Sequence, residues 1–283
     1  MLALLRFLSR LPLSALHRLG ALAGWAAYWA SPTYRRHVRE NLALAFPGGV
    51  PPGLRAAAVA HAGRGLLELP ALWLRPKERV VTLVRRVSGW EAVEAAWQAG
   101  RGIVFLTPHL GCFEITAQYY ASRAPITVLY RPPKQGWLRP VVEQGRGGPN
   151  LRLAPADTAG VRLLARALRR REAVGILPDQ VPGRGEGLWA DFFGRPAYTM
   201  TLAARLAEMS GAAVIFAFGE RLPGGEGFHL HLSPPPLPIA GTLPERVAAL
   251  NRALEALIRR CPEQYLWGYN RYKVPAGAEP AQP

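Results

Sequence analysis

The stretch Gly102-Ile-Val-Phe-Leu-Thr-Pro-His109-Leu-Gly-Cys-Phe-Glu114 passes from a strand-like to a helix-like pattern within a few residues. Its first half is apolar and rich in residues that favour strands. Pro108 disfavours helical backbone at the residue before it, so the helical pattern begins two or three residues after His109. The sequence therefore predicts a buried strand, a turn that carries His109, and a helix whose first turns carry Glu114.

Apolar stretches and breakers alternate on both sides of this stretch in the rhythm of βα units. A chain of 283 residues, 49% of them hydrophobic, can bury a substantial core, and we expect one large α/β domain. The predicted strands are Val80–Val87, Gly102–Thr107, Ile126–Tyr130, Ala173–Leu177, Ala213–Phe218 and Phe228–Leu232. The predicted helices are Leu54–Trp73, Trp90–Gln98, Cys112–Ser122, Asp157–Arg170, Thr199–Met209 and Pro244–Arg260.

His109 and Glu114 have the residue types that acid–base chemistry needs. Positions five apart on a continuous helix differ by about 140° and do not face each other, so His109 must precede the helix. A carboxylate that reaches back to one imidazole nitrogen fixes the tautomer, and the other nitrogen can then remove a hydroxyl proton. The helix N-terminus adds partial positive charge for a developing oxyanion. The pair by itself is also compatible with a structural loop histidine.

The chain carries 35 Lys and Arg against 19 Asp and Glu, a net charge of +16. This excess favours a polyanionic partner: nucleic acid, an anionic membrane, phosphorylated lipid or an acidic protein. At the N-terminus, Arg6, Arg10, His17 and Arg18 interrupt the apolar segments, so no window has the ~18 uncharged residues of a transmembrane helix. Neighbouring tryptophans and tyrosine predict an uncleaved helix at a membrane interface, with an ordinary helix packed on the core as the alternative.

The segment from His109 to Glu114 resembles the His-x-x-x-x-Asp/Glu motif of glycerolipid acyltransferases. Further segments resemble one branch of that superfamily, the bacterial lipid A biosynthesis acyltransferases, and they occur in the same order. These segments are Arg39–Pro47 (RENLALAFP), Tyr130–Pro132 (YRP), Leu177–Gln180 (LPDQ), Asp191–Ala197 (DFFGRPA) and Pro262–Lys273 (PEQYLWGYNRYK). Because the resemblance runs from about residue 35 to 273, it is specific at the level of the family.

This resemblance implies a mixed sheet covered by helices, of the glycerolipid-acyltransferase kind, and an enzyme of lipopolysaccharide synthesis. It implies that His109 is the general base with Glu114 as its partner, and that the acyl chain arrives as an acyl carrier protein thioester. The implied acceptor is a hydroxyl of a Kdo-bearing lipid A precursor. Neither a cofactor nor a covalent acyl-enzyme is required. Another lysophospholipid or glycolipid acceptor is the main alternative.

Three further residues are assigned to substrate binding. The resemblance implies that Arg131, at the end of an apolar strand, binds phosphate or stabilises charge, a role that suits its planar donor fork. Asp179 and Gln180 also follow a strand, where α/β proteins place ligand contacts, and we expect them to bind the acceptor or order a loop. The sequence departs from many relatives at Val181, where a second acidic residue is expected. This departure argues against a metal or paired carboxylate there.

The predicted organisation is an N-terminal membrane-associating helix over residues 1–34, an acyltransferase domain over 35–273 and a disordered tail over 274–283. We expect the enzyme at the cytoplasmic face of a bacterial inner membrane. Its expected partners are the acyl carrier protein, a phosphorylated lipid and the anionic membrane surface, each attracted by the basic surface.

Other candidate chemistry receives a structural interpretation. Cys112 would be a thiol nucleophile at a helix N-terminus, but thioester transfer does not need one. His229 and His231 lie on the same side of a strand by alternation, as metal ligands do, yet without a further ligand cluster in the sequence we expect a structural pair and no metal. The Gly-rich stretch 181–187 lacks phosphate-loop spacing, so we interpret it as a mobile substrate loop. The aromatic residues after it are expected to be core.

Two classes outside acyl transfer fit the sequence less well. The basic runs satisfy the electrostatic requirement for nucleic-acid binding, but helix-turn-helix, zinc-finger and RNP patterns are missing, and no nucleic acid is expected. A hydrolase of the Ser-His-Asp type would need a nucleophile elbow, and the chain contains no G-x-S-x-G segment.

Overall fold

The structure is a computed structural model that describes residues 2–133 and 135–279. The helices within these residues are α1 (Leu2–Arg10), α2 (Leu13–Ala30), α3 (Pro32–Ala45), α4 (Leu54–Leu74), α5 (Lys77–Val81), α6 (Glu91–Gln98), α7 (Phe113–Ala121), α8 (Arg139–Arg146), α9 (Thr158–Arg169), α10 (Leu202–Ser210) and α11 (Leu243–Arg260). The strands are β1 (Val84–Ser88), β2 (Ile103–Leu106), β3 (Ile126–Tyr130), β4 (Leu151–Pro155), β5 (Ala173–Ile176), β6 (Gly187–Phe192), β7 (Arg195–Met200), β8 (Ala213–Arg221) and β9 (Phe228–Ser233).

Seven of these strands form one mixed sheet in the order β1-β9-β8-β2-β5-β3-β4. β8, β2, β5, β3 and β4 are parallel, whereas β9 pairs antiparallel with β8 and parallel with β1. Every residue of β2 is buried, as the near-continuous apolar run of a central parallel strand requires. The mixed sheet covered by helices agrees with the predicted fold class. Because parallel strands end at the same edge, the residues that follow β2, β3 and β5 lie close together.

Helices cover both faces of the sheet. The side chains of β2 alternate between two cores, as a strand's period of two dictates. Val104 and Leu106 join one core with α9, α10 and α11, whereas Ile103 and Phe105 join the other with α6 and α7. A third apolar cluster lies between α2, α4 and the start of α7, and Cys112 and Ile115 belong to it.

The N-terminal region contains three helices instead of the single predicted helix, and the predicted boundary after residue 34 falls inside α3. Pro12 separates α1 from α2 because its extended backbone (φ −53°, ψ 147°) and missing N–H stop the first helix. α2 packs closely along α4, where a Cβ on Gly63 would lie 1.9 Å from the carbonyl oxygen of Gly20. Within the described residues, none of the helices has the length and apolar character needed to cross a membrane.

Several predicted bounds are wrong, each for a tertiary reason. The predicted strand over residues 80–87 begins as α5, because Val80 is fully buried against α2 and α4. The helix predicted from Thr199 begins at Leu202, because Thr199 and Met200 complete β7. β4, α8 and the β6–β7 hairpin were not predicted at all.

The β6–β7 hairpin has a turn whose sequence is unusual for its backbone conformation. Phe192 pairs with Arg195 across a two-residue turn, and both turn residues have positive φ, 50° at Phe193 and 72° at Gly194. Such turns usually carry Asn-Gly or Asp-Gly. The buried ring of Phe193 packs against Trp267 and provides packing that offsets the strained backbone.

The C-terminal segment lies partly within the described residues. Residues 274–279 include a turn, and Trp189 Nε1 donates a hydrogen bond to the carbonyl oxygen of Glu279 at 3.0 Å. Residues 280–283 of the predicted disordered tail lie outside the described residues.

Candidate active site

His109 follows β2 at the carboxyl edge of the sheet and contacts a carboxylate that follows β5. Both oxygens of Asp179 are engaged: Oδ2 accepts the backbone N–H of His109 and Oδ1 lies on imidazole Nδ1, each at 2.8 Å. Asp179 is 2% exposed, so this contact is almost free of competing water. A proton on Nδ1 that is shared with Asp179 leaves Nε2 as the basic nitrogen.

The charge of Asp179 is maintained despite its burial. Burial opposes ionisation, but the imidazole of His109 and the hydrogen bonds from it outweigh burial and hold the pKa of the Asp179 carboxyl below its usual value. The neighbouring phenol of Tyr265 responds in the opposite direction. Burial and the nearby Asp179 charge raise the pKa of Tyr265 well above its usual value, so this hydroxyl keeps its proton.

Gln180 lies on the other side of the imidazole. Its amide nitrogen Nε2 is 3.1 Å from His109 Nε2, so the amide donates to the nitrogen that Asp179 leaves basic. The next residue is fixed as well, because the backbone N–H of Val181 donates to the hydroxyl of Tyr269 at 2.9 Å. The Leu177–Gln180 segment therefore supplies both ring partners of His109, and the expected roles of Asp179 and Gln180 in acceptor binding or loop ordering stay predictions.

Glu114 lies in the first turn of α7, as predicted, but its carboxylate is directed away from His109. It forms a two-pronged ion pair with Arg146 at the end of α8, with Arg146 Nε 3.0 Å from Oε2 and Nη2 on Oε1. The prediction that Glu114 holds the imidazole is therefore wrong in the structure, where Asp179 occupies Nδ1. The prediction failed because neither α8 nor the adjacency of β2 and β5 can be inferred from the spacing within one segment.

The surroundings of Glu114 are basic and partly buried. Lys77 lies near it and donates to the side chain of Gln118 at 3.2 Å and to the carbonyl of Gly145. Burial lowers the pKa of Lys77, while the Glu114 charge acts in the opposite direction. Arg146 also lies over the ring of Trp73 at 5.6 Å. Glu114 thus serves in the structure to hold a guanidinium at this wall of the site.

A cavity of about 780 Å³ opens beside the imidazole, within the size range of small-molecule sites. His109, Glu114, Arg146 and Gln180 all line it, and so does Arg131 at the end of β3. The rest of the lining is mainly aromatic and aliphatic, with residues from β2, β3, β5, α7 and β9. The lining therefore combines charged side chains with a mainly apolar surface.

The turn between His109 and α7 is fixed by backbone contacts. Gly111 has φ +59°, and a Cβ there would lie 2.1 Å from the carbonyl oxygen of Gly219, so this position requires glycine. Its N–H donates to the Gln264 carbonyl at 3.0 Å, and the next N–H, from Cys112, donates to the Gly219 carbonyl at 2.7 Å. The Leu266 N–H donates to the His109 carbonyl at 3.0 Å.

A buried ion pair holds the same turn from the side of the N-terminal helices. Arg221, at the end of β8, donates from Nη2 to the Gly111 carbonyl at 2.8 Å and to Glu68 of α4 at 2.8 Å. Glu68 is 1% exposed and also contacts His17 Nε2 of α2 at 2.9 Å. Burial opposes the charge of Glu68, but Arg221 and His17 together outweigh burial and lower the Glu68 pKa. This cluster, His17–Glu68–Arg221, was not predicted because its members are scattered along the chain.

Cys112 is buried in this turn and does not have the character of a nucleophile. Burial, with a contribution from the nearby Glu68 charge, raises the pKa of the Cys112 thiol well above its usual value. The thiol is therefore protonated near neutral pH. The alternative in which a helix N-terminus activates Cys112 is not supported.

Comparisons with known proteins identify the family of this chain. Residues 1–274 match the family described as bacterial lipid A biosynthesis acyltransferase. The lipid A biosynthesis lauroyltransferase of Escherichia coli (strain K12) is 29% identical over 276 residues, which cover 94% of this chain and 87% of that protein. The lipid A biosynthesis palmitoleoyltransferase of the same organism is 28% identical over 240 residues, 83% of this chain and 78% of that protein.

A relative with a different acceptor in its name also matches. The phosphatidylinositol mannoside acyltransferase of Mycobacterium tuberculosis (strain H37Rv) is 27% identical over 200 residues, covering 67% of this chain and 62% of that protein. The family match spans the turn that carries His109, the loop that carries Asp179 and the N-terminal helices alike. The chain therefore belongs to the bacterial lipid A biosynthesis acyltransferase family and is an acyltransferase.

Proposed function

We propose that this enzyme transfers a fatty acyl chain from an acyl carrier protein thioester to a hydroxyl of a Kdo-bearing lipid A precursor. The observation that carries the proposal is the imidazole of His109, which is held at Nδ1 by buried Asp179 and lines a mainly apolar cavity. A base next to a long apolar wall is the arrangement that acyl transfer to a hydroxyl needs.

In the proposed reaction, His109 Nε2 removes the proton of the acceptor hydroxyl while the hydroxyl oxygen attacks the thioester carbonyl. The resulting oxyanion collapses, the carbon–sulfur bond breaks, and the imidazolium returns the proton to the leaving thiolate. The products are an ester and a free thiol, without an acyl-enzyme. Asp179 stabilises the imidazolium between the two proton transfers, as an orienting carboxylate does in a hydrolytic triad.

Glu114 and Arg146 act in this proposal as a unit. Their ion pair lies on the cavity wall, so the guanidinium supplies positive charge near the carbonyl oxygen that becomes an oxyanion. Gln180 occupies the hydrogen-bonding position on Nε2 that the acceptor hydroxyl must take, so we propose that its amide shifts to the incoming hydroxyl. Arg131, exposed at the cavity mouth, binds a phosphate of the acceptor.

We also propose that the enzyme works at the cytoplasmic face of a bacterial inner membrane. α1 exposes Leu4 and Phe7 to 55% and 60%, next to Arg6 and Arg10 on the same short helix. On α2, Trp29 is 65% exposed and lies within 6.0 Å of the Arg35 guanidinium. Exposed apolar and aromatic side chains that alternate with cations favour the interface of an anionic bilayer.

A second candidate keeps the reaction and changes the acceptor to another glycolipid. The match to a phosphatidylinositol mannoside acyltransferase favours it, because a protein with that name is 27% identical over 200 residues, 67% of this chain. The two candidates require the same base, cavity and donor, and they differ only in the sugar that presents the hydroxyl.

The test is an acyl transfer assay with purified enzyme in mixed micelles. Lauroyl and myristoyl acyl carrier proteins, and the matching coenzyme A thioesters, are offered with a Kdo-bearing lipid A precursor or with a lysoglycolipid that lacks Kdo. Transfer to the Kdo-bearing lipid that is lost in His109→Ala supports the proposal. Transfer only to the other lipid moves the assignment to the second candidate, and full activity of His109→Ala refutes the catalytic assignment.

A further inference from the structure

A cluster of two histidines and one carboxylate lies on the β8–β9 ladder, away from the acyl cavity. Glu220 of β8 is the register partner of His229 on β9, and His231 lies two residues further along the same face. Glu220 Oε2 is 2.7 Å from His231 Nε2 and 3.9 Å from His229 Nδ1. The candidate ligand atoms of all three residues lie within 4.8 Å of one another. The sequence showed the two histidines, but only the antiparallel register brings Glu220 to them.

The distances suit a small divalent ion. Zn²⁺ binds imidazole nitrogen and carboxylate oxygen at about 2.0–2.2 Å, which separates two ligands of a tetrahedral ion by roughly 3.3–3.5 Å. The separations of 2.7 Å and 3.9 Å lie on either side of this value, so shifts of roughly half an ångström to one ångström would bring each imidazole to a suitable distance from the carboxylate oxygen. Two imidazoles and one carboxylate are also a ligand set that transition ions prefer to Mg²⁺ or Ca²⁺.

The neighbour of His229 orients the correct nitrogen of that ring. Ser88 Oγ of β1 lies 2.8 Å from His229 Nε2, so the serine fixes that ring and leaves Nδ1 toward Glu220. At 3.9 Å, Nδ1 is too far from the carboxylate for a hydrogen bond, whereas an ion between them would satisfy both. Phe218 stacks on His231 with the ring planes 11° apart and restricts its rotation. The contact of His229 with Ser88 is of the kind that metal-binding histidines make through their second ring nitrogen.

Two arginines oppose a cation at this place. Arg260 Nη2 lies 3.4 Å from His231 Nδ1, and the Arg86 charge also acts on the His229 ring. Both arginines are exposed on long side chains, so they can move into solvent where their repulsion is screened. They are expected to weaken the site without abolishing it.

We propose that Glu220, His229 and His231 bind one divalent transition ion of the Zn²⁺ class, with solvent completing its coordination. The three side chains face away from the acyl cavity, which Leu230 and Leu232 of the same strand line from the opposite face. The ion would therefore connect β8 and β9 where they pair antiparallel. The contact between Ser88 and His229 would also connect β1 to the site. The ion takes no part in the proposed acyl transfer.

The experiment uses tag-free protein stripped with a chelator and titrated calorimetrically with ZnCl₂. One ion per chain is expected to bind, and Co²⁺ is expected to give the intense visible absorption of a tetrahedral site. Each of Glu220→Gln, His229→Ala and His231→Ala should weaken binding at least about tenfold. Arg260→Gln should tighten Zn²⁺ binding several-fold, because the substitution removes a positive charge that lies next to Nδ1 of His231.

His37→Ala is the matched control, because this histidine lies on α3 and is not part of the cluster. His231→Gln serves as a milder substitution, and circular dichroism verifies that each variant is folded. The proposal is overturned if the wild type binds no ion, or if the three cluster variants bind Zn²⁺ and Co²⁺ as the wild type and His37→Ala do.

Discussion

The imidazole of His109 contacts two residues from one loop, and the two carboxylates near it have different tasks. Asp179 contacts Nδ1 directly, whereas Glu114 contacts Arg146. Part of this site could be predicted from sequence: Pro108 ended the strand, so His109 had to lie in a turn at the edge of the sheet. The identity of its carboxylate partner could not, because Asp179 is 70 residues away and reaches His109 only through the pairing of β2 with β5.

Substitution of the two carboxylates separates their roles. Asp179→Asn should lower kcat by about 10³- to 10⁴-fold with little change in KM, because it favours the wrong tautomer of His109 and no longer stabilises the imidazolium. Glu114→Gln should lower kcat by only about 10- to 100-fold, because Arg146 keeps its charge and loses one partner. Steady-state kinetics with a fixed acyl donor measures both. Equal losses in the two variants would contradict the division of roles.

Gly175 of β5 controls space in the apolar part of the cavity. It lines the cavity, and a Cβ there would lie 3.2 Å from a methyl group of Val128 on β3. Gly175→Leu should therefore block part of the apolar wall and shift the preference toward shorter acyl chains by about tenfold for each 1.4 kcal/mol of lost binding. Competition between acyl donors of different length measures the shift. Gly48→Leu, in an open surface turn, is the control, and an unchanged preference in Gly175→Leu would contradict this role.

The short elements outside the central strands were the least predictable from sequence. Four strands of the parallel core, β2, β3, β5 and β8, were predicted to within a few residues because their apolar runs are bounded by Gly and Pro, whereas β4 was not predicted. The β6–β7 hairpin was not, since its turn is Phe193-Gly194, and α8 is too short for a helical period to be evident. Glu68 gave no signal either, because a single carboxylate in an apolar helix does not reveal the arginine that neutralises it.

The pair between α4 and β8 is expected to support both stability and catalysis. Glu68→Gln should lower the free energy of unfolding by about 3–5 kcal/mol, because it leaves the buried Arg221 guanidinium without a counter-charge. It should also reduce kcat, since Arg221 then holds the Gly111 carbonyl less firmly. Urea denaturation and steady-state kinetics measure the two effects. The double variant Glu68→Gln, Arg221→Met should be more stable than the single variant, and a strictly additive loss would contradict the coupling.

The pH dependence of the stabilisation by Glu68 follows from the direction of its pKa shift. The Glu68 pKa is lower in the folded protein than in the unfolded chain, so the folded state binds fewer protons at this site. The stabilisation is fully present above the unfolded value of about 4.3 and is lost as the pH falls through the folded value. The stability difference between wild type and Glu68→Gln should therefore shrink in acid. A difference that is constant between pH 7 and pH 3 would contradict this linkage.

At the scale of the whole molecule, the net charge of +16 and the apolar surface of α1 act on the same partner. The enzyme should sediment with vesicles that contain phosphatidylglycerol, and the bound fraction should fall as salt rises, because exposed charges are screened. Leu4→Ser with Phe7→Ser should reduce binding even at low salt. Met209→Ser, which removes a 76% exposed side chain from α10, is the control. Binding that neither salt nor the α1 substitutions affect would contradict the proposed membrane face.

The cluster of His17, Glu68 and Arg221 also has a consequence for biosynthesis. Glu68 and Arg221 are 153 residues apart in the chain, so a ribosome that adds about 5–20 residues per second needs roughly 8 to 30 s between them. During that interval α2 and α4 can associate, but Glu68 lacks the counter-charge of Arg221. The turn that carries His109 also lacks the hydrogen bond from Arg221 to the Gly111 carbonyl. The nascent enzyme is therefore expected to mature only late in translation. A chain that terminates before β8 should be degraded without ever acylating a lipid.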